Sequence, residues 1–118
     1  MGRLTTHVLD TANGKPAAGM TIEFLEANAE GGWAHRATFQ TNADGRTDQP
    51  VMAGAEFRTG RFQLRFHVGA YFRQFGGDLP EPPFLDVVPV HFGIASTDEH
   101  YHVPLLCSPF AYSTYRGS

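Results

Sequence analysis

Short runs of sheet-favouring residues, closed at intervals by glycine, proline, asparagine or aspartate, constrain this chain more than any other feature of its sequence. Val, Ile, Phe, Tyr, Trp and Thr gather in segments too short for ordinary globular helices, and the turn residues between them leave little room for long ones. Residues 4–9 are the first such run, closed by Asn13-Gly14 and then Lys15-Pro16, because Asn and Gly tolerate the positive φ of a tight turn. Residues 20–26 are the second, broken at Gly31-Gly32. The third, residues 33–41, ends at Asn42-Ala43-Asp44-Gly45, which reads as a type I turn with its glycine in the left-handed position.

Residues 46–49 and 57–59 are weaker strand candidates on either side of Pro50. In 60–68, Phe62, Leu64, Phe66 and Val68 alternate with Arg61, Gln63, Arg65 and His67, so the first set belongs to a core and the second faces solvent or a partner. Tyr71, Phe72 and Phe75 fall at helical spacing ahead of Gly76-Gly77, which predicts one short helix over 70–75. After the proline-rich loop 78–83, residues 87–94, 101–107 and 111–115 complete the strand set. A single domain over 1–118 follows, all-β: a two-sheet antiparallel sandwich of seven to eight strands with one short helix, a small barrel being the other closure.

The same period of two places Tyr101, Val103, Leu105 and Cys107 on one face of the 101–107 strand, and His100, His102, Pro104 and Leu106 on the other. The first strand divides in the same way, Thr6 and Val8 to one side, His7 and Leu9 to the other. A solvated sheet face should read polar. Imidazoles interleaved with leucines imply a face covered by another subunit, with a functional cleft between.

Several function classes drop out. Nine basic against twelve acidic residues give a formal charge of -3, and the basic residues are scattered, so neither nucleic acid nor an anionic membrane finds an electrostatic footprint. No apolar run is long enough to span a bilayer, the amino-terminal residues lack a secretory signal's apolar stretch, and the lone Cys107 has no internal disulfide partner; a cytoplasmic protein is expected. His35, His67 and His91 read as ordinary strand histidines. His100 and His102 would need a third ligand at a recognisable spacing to hold a metal, and lacking one, neither metal nor cofactor is expected. No nucleophile elbow, phosphate-cradling loop or Cys-His arrangement is present to support covalent catalysis.

Three stretches carry a family likeness. Leu4-Thr5-Thr6-His7-Val8-Leu9-Asp10, then Thr41-Asn42-Ala43-Asp44-Gly45-Arg46-Thr47-Asp48, then His100-Tyr101-His102-Val103-Pro104-Leu105-Leu106-Cys107-Ser108-Pro109 with Tyr112-Ser113-Thr114-Tyr115-Arg116-Gly117-Ser118, resemble the 5-hydroxyisourate hydrolases. These are the transthyretin-related enzymes of urate breakdown. The likeness spans essentially the whole chain, and Tyr115-Arg116-Gly117-Ser118 is the part that separates the hydrolases from hormone-carrying transthyretins. Cys107, where the family more often has Leu, and Phe110-Ala111, in place of an aromatic-glycine pair, depart from the pattern outside the site residues.

The resemblance implies two four-stranded sheets, paired edge to edge into dimers and face to face into a homotetramer with a central channel. It implies a site assembled across the dimer-dimer contact from His7, Arg46 and His102 as catalytic residues, with Tyr115 and Ser118 joining His7 and Arg46 in binding substrate. The reaction it implies is hydrolysis of 5-hydroxyisourate to 2-oxo-4-hydroxy-4-carboxy-5-ureidoimidazoline. Opening that cyclic amide with water calls for a base, a positive group for the carbonyl oxygens, and an acid for the leaving nitrogen. Histidine suits both proton roles near neutrality, arginine offers a fixed charge and a fork of donors, and Tyr115 suits orientation better than proton abstraction. The competing class is a transthyretin-like carrier of an aromatic small molecule in the same channel, which desolvated ionisable groups would serve poorly. An adhesion-type sandwich leaves the outward histidines unexplained.

Overall fold

The computed structural model of the chain describes residues 2–117. Strand β1 (Arg3–Asp10) shows how alternation becomes architecture: Leu4, Thr6, Val8 and Asp10 are buried, while Thr5, His7 and Leu9 lie half-buried on the opposite face. With β2 (Lys15–Pro16), β8 (Tyr101–Cys107) and β9 (Tyr112–Thr114), it builds a sheet in the order β2-β1-β8-β9, and the two-residue β5 (Met52–Ala53) pairs with the start of β1. Strands β3 (Thr21–Ala27), β4 (Trp33–Gln40), β6 (Gly60–His67) and β7 (Val87–Ile94) form the second sheet, ordered β4-β3-β6-β7. Leu4, Val8, Ile22, Phe62, Phe66 and Leu105, all at 0% exposure, lie in the core the two sheets enclose.

This is the expected sandwich, with one feature that alternation does not encode. Strands β1 and β8 run parallel, Thr5 beside His102 and His7 beside Pro104, whereas the other ladders are antiparallel. Strands from opposite ends of a chain are free to lie in either direction, because the intervening residues cross to the other sheet and return.

Local departures have local causes. Residues 46–49 make a single bridge, Arg46 to His7, rather than a strand, and 57–59 lie outside any strand; β5 and a 3-10 turn at Gly54–Glu56 occupy that region instead. Helix α1 (Val68–Arg73) starts two residues ahead of the predicted 70–75 because β6 runs straight into it, burying Tyr71 and Phe72 and leaving Phe75 49% exposed. Gln63 does not face outward to solvent. Flanked in register by Leu25 and His91, it is 2% exposed, its Oε1 accepts from Arg65 Nε at 2.8 Å, and its Nε2 has no partner among the described residues. No helix among the described residues is long and apolar enough to cross a membrane.

A buried acid ties helix to sheet. Asp10, 1% exposed, accepts hydrogen bonds from Tyr71 Oη at 2.8 Å, Asn13 N at 2.9 Å and Asn13 Nδ2 at 2.7 Å. Burial pushes its carboxyl up, but the donors of Asn13 and Tyr71 outweigh that and hold it below the ordinary 3.8. Tyr71→Phe should therefore cost about 1.5–3 kcal/mol, the scale for a hydrogen bond to a charged group, in urea unfolding at neutral pH. A carboxyl held low contributes stability that is complete above its ordinary pKa and fades as pH falls through the lowered value, so the deficit of Tyr71→Phe should shrink as the unfolding is repeated in increasing acid.

Candidate functional site

The parallel ladder puts Thr5, His7 and His102 on the outer face of the first sheet, with the two imidazole centroids 6.5 Å apart and tilted by 36°. Arg46 arrives from the other side of β1. Asn42 organises the turn that carries it, its Oδ1 accepting from Asp44 N at 2.9 Å and Arg46 N at 3.2 Å. Gly45 then takes φ +75°, and its carbonyl accepts from Val8 N at 2.8 Å; a Cβ there would lie 2.4 Å from Val8 O. Only glycine lets the turn press this close to β1, and that closeness sets Arg46 opposite His7.

On the far side, Gly117 N donates to His102 O at 2.8 Å, and a Cβ on Gly117 would stand 2.6 Å from His102 Cδ2. Thr5 Oγ1 lies 2.8 Å from His102 Nδ1. The imidazole is thus gripped by a hydroxyl at one ring edge and by a glycine against the other. Between β1 and the turn opens a cleft of about 370 Å³ with Arg3, Thr5, Arg46, Asp48, Gln49 and His102 among its walls.

The electrostatics favour neutral imidazoles. Burial, then the Arg46 charge, pushes His7 below 6.5, with the Asp44 backbone and carboxylate opposing. Burial, Arg46 and His7 together push His102 down. Arg46 itself is exposed and makes no ion pair among the described residues, so its donors are available to a ligand. Two neutral imidazoles beside a fixed cation can exchange protons with water and bind a carbonyl oxygen.

The structure brings His7, Arg46 and His102 to one outer face, the two histidines by strand parity and Arg46 by its bridge to His7, although His7 is not among the walls of the cleft. Tyr115 is not part of that cleft: it is 61% exposed and borders a second one, with Phe92, Tyr101, Val103 and Arg116. The β8–β9 ladder ends at Leu105 and Thr114, and the next position of that register falls opposite Pro104, which has no N–H to carry it on. Arg116 is engaged elsewhere, with Nη2 donating to His100 O at 3.0 Å and Glu99 Oε1 at 3.1 Å and the guanidinium 4.2 Å from the Tyr101 ring centroid. Ser118 lies outside the described residues.

The remaining strand histidines have ordinary partners: His67 with Glu23 at 2.8 Å, His35 with Thr38 at 2.7 Å, His91 against Trp33 at 4.8 Å between centroids. Among the described residues no group of three or more His, Cys, Asp or Glu is placed to hold a metal ion. Thr5 was not evident as a site residue, although it shares the outward parity of His7; Gly117 was visible only as part of the closing tetrapeptide, and its close approach to His102 needed the fold.

A two-sheet sandwich with a His, Arg, His cluster on one outer face is a narrow class, and comparison with known proteins agrees. The HIUase/Transthyretin family matches residues 4–117. A 5-hydroxyisourate hydrolase of Pseudomonas aeruginosa is 59% identical over 118 residues, which cover 100% of this chain and 93% of the relative. The solved 5-hydroxyisourate hydrolase of Klebsiella pneumoniae superposes with a TM-score of 0.80 at 32% identity, covering 100% of both chains. Sea bream transthyretin in complex with thyroxine superposes with a TM-score of 0.87 at 30% identity, covering 98% of this chain and 94% of that one. The chain belongs to the HIUase/transthyretin family.

The grip on His102 is testable without any substrate. Gly117→Ala should displace the imidazole and move its ring resonances in NMR spectra, while leaving stability to unfolding within about 1 kcal/mol of the parent, since the change lies outside the core.

Proposed function

We propose that this chain hydrolyses 5-hydroxyisourate, opening the six-membered ring with water to give 2-oxo-4-hydroxy-4-carboxy-5-ureidoimidazoline. The observation that carries the proposal is the convergence of His7, Arg46 and His102 on one outer face, two imidazoles held neutral beside an uncommitted guanidinium. A neutral imidazole takes a proton from water; Arg46 steadies the negative charge that develops on the carbonyl oxygen; an imidazole proton reaches the leaving nitrogen. Tyr115 and Ser118 remain part of the reading as substrate contacts, brought in by a neighbouring copy. No metal or cofactor is needed for these steps, and the Arg46 charge beside both imidazoles opposes a second cation. A carrier of an aromatic ligand is the weaker reading, because Arg46, His7 and His102 would have to be desolvated without being used.

The assembly belongs to the same proposal: a homotetramer whose dimer-dimer channel contains the sites. Leu9 and Leu106 sit side by side, half-buried, on the histidine face. Phe84, Val87, Phe110, Tyr112 and Tyr115 are exposed along or near β7 and β9, one edge strand of each sheet. Apolar side chains at unpaired edges suit pairing with a second copy, and the leucines suit face-to-face closure. Cys107 is a free, buried thiol pushed up to about 12 by burial and then by Asp10, so it stays protonated and unreactive; a cytoplasmic setting belongs to the same proposal because this lone cysteine has no disulfide partner in the chain.

The direct test generates 5-hydroxyisourate in place with urate oxidase and follows the decay of its near-ultraviolet absorbance; a rate no faster than without the protein overturns the proposal. Light scattering that finds an active monomer overturns the channel site. Activity should persist after exhaustive chelation.

Three further outcomes are expected. Because the base must be neutral and both imidazoles are pushed down, kcat/KM should be flat through neutrality and fall only on the acid side, with a midpoint below 6.5. His7→Asn and His102→Asn should each cost on the order of 10² fold in kcat/KM with assembly intact, since both side chains face out of the core. Arg46→Lys should stay poor, because lysine keeps the charge and loses the planar fork; near-normal rates in that variant would show that charge alone suffices.

A further inference from the structure

We propose that Thr5 is a positioning residue that holds His102 as its Nε2–H tautomer, so that His102 donates a hydrogen bond to a substrate oxygen while His7 alone takes and returns the proton. The assignment rests on the hydrolytic reading of the site.

It starts from a 2.8 Å contact between Thr5 Oγ1 and His102 Nδ1, fixed by the register that sets Thr5 beside His102. A threonine hydroxyl has one hydrogen to donate and can leave its lone pairs to water at little cost. Among the described residues, the acceptor within reach of that hydrogen is His102 Nδ1. Were Nδ1 the protonated nitrogen, it would donate to Oγ1, and the half-buried Thr5 hydrogen would have no protein acceptor and would have to turn to water in the cleft. Satisfying both groups makes Oγ1 the donor and Nδ1 the acceptor, which leaves the proton of the neutral ring on Nε2.

The rest of the ring's surroundings agree. Gly117 closes against Cδ2, so the Cε1–Nε2 end of His102 is left for the cleft whose wall it forms with Arg46. An Nε2–H there and the Arg46 guanidinium would be paired donors for one oxygen. The two histidines also differ in what opposes a positive charge on them. His7 has the Asp44 backbone and carboxylate to favour its protonated form; the groups acting on His102, burial, Arg46 and His7, all disfavour it. Both rings are pushed below 6.5 overall; with His102 Nδ1 engaged by Thr5, His7 is the ring assigned the proton, and the opposing Asp44 groups favour that choice.

The chemical step then balances with one shuttling proton. His7 removes a proton from water as the water oxygen bonds to the ring carbonyl carbon. The carbonyl oxygen takes up the electron pair, held by His102 Nε2–H and Arg46. As the pair returns, the carbon–nitrogen bond breaks and the proton on His7 passes to the leaving nitrogen, so both histidines end neutral and no proton leaves His102.

The experiment compares wild type, Thr5→Val and Thr5→Ser with nitrogen-15-labelled histidine. Ring-nitrogen spectra of the wild type at neutral pH should show His102 protonated at Nε2 and not at Nδ1; Thr5→Val should show a mixture, and Thr5→Ser the wild-type pattern. In kinetics, Thr5→Val should lose about ten-fold in kcat, the worth of roughly one hydrogen bond, with KM within about two-fold, and Thr5→Ser should recover most of it. Protonated Nδ1 in the wild type overturns the assignment, as does a Thr5→Val enzyme with unchanged tautomer and kcat. Equal losses in Thr5→Val and Thr5→Ser with a lowered unfolding temperature mark Thr5 as structural and also overturn it. Absence of wild-type turnover would sink the hydrolytic reading itself, whereas the nitrogen spectra judge the role of Thr5 with or without substrate.

Discussion

The parallel ladder between β1 and β8 holds core and site at once. It runs from Leu4 beside Tyr101 to Asp10 beside Cys107, joining the two ends of the chain along the middle of one sheet. Because side chains alternate, a slip of one residue in either strand would turn that strand's core residues outward, Leu4 and Val8 or Val103 and Leu105, and its histidine inward. Side chains reinforce that register: Thr6 Oγ1 donates to Val103 O at 2.7 Å, and Thr11 Oγ1 donates to Cys107 O at 3.0 Å. The buried threonine that fixes the register and the exposed-face threonine that touches His102 are neighbours in sequence, one serving each face.

The edge of β1 away from β8 is where regular structure gives way to the candidate site. Three short pieces complete it, β2 at Leu9 and Asp10, the single bridge of Arg46 at His7, and β5 at Arg3 and Leu4. A continuous strand there would satisfy β1 more simply. The turn at Asn42–Gly45 instead carries an arginine to two imidazoles, an arrangement unfavourable by charge and with no acid paired to Arg46 among the described residues. Local conflict of this kind, set on a rigid ladder, is how binding sites differ from cores.

Much of this was legible because a period of two needs only a few residues to show. The outward parity of His7 and His102, the core set Phe62, Leu64 and Phe66, and the glycine turn before Arg46 all follow from local pattern. What was not legible depends on neighbours. The direction of β8 relative to β1, the burial of Gln63 between Leu25 and His91, and the choice of 52–53 over 57–59 for the short edge strand are set by packing between distant segments. Tyr115 falls opposite Pro104, where the β8–β9 ladder lapses before the same register resumes at the His102–Gly117 bridge, so its direction depends on more than alternation. Thr5 sat in plain view with the right parity, but a threonine on a strand is too common to mark a site until its hydroxyl is seen against an imidazole.

Assembly and chemistry are linked through water. In a single chain the histidine face is only partly shielded, yet burial is already the first cause lowering both imidazoles. The half-buried pair Leu9 and Leu106 lies on the same face as these rings, so closing that face against a second copy would bury leucines and imidazoles together. The leucines gain from the loss of water, at roughly 25 cal/mol per Å² of apolar surface covered. The imidazoles become harder to charge, and the Arg46 field, less screened, acts more strongly on whatever oxygen lies beneath it. A neutral base, a neutral donor and an unscreened cation are what water-driven opening of a cyclic amide requires. With leucines and histidines mixed on one sheet face, closure against a second copy would stabilise the proposed assembly and tune the proposed site in the same step.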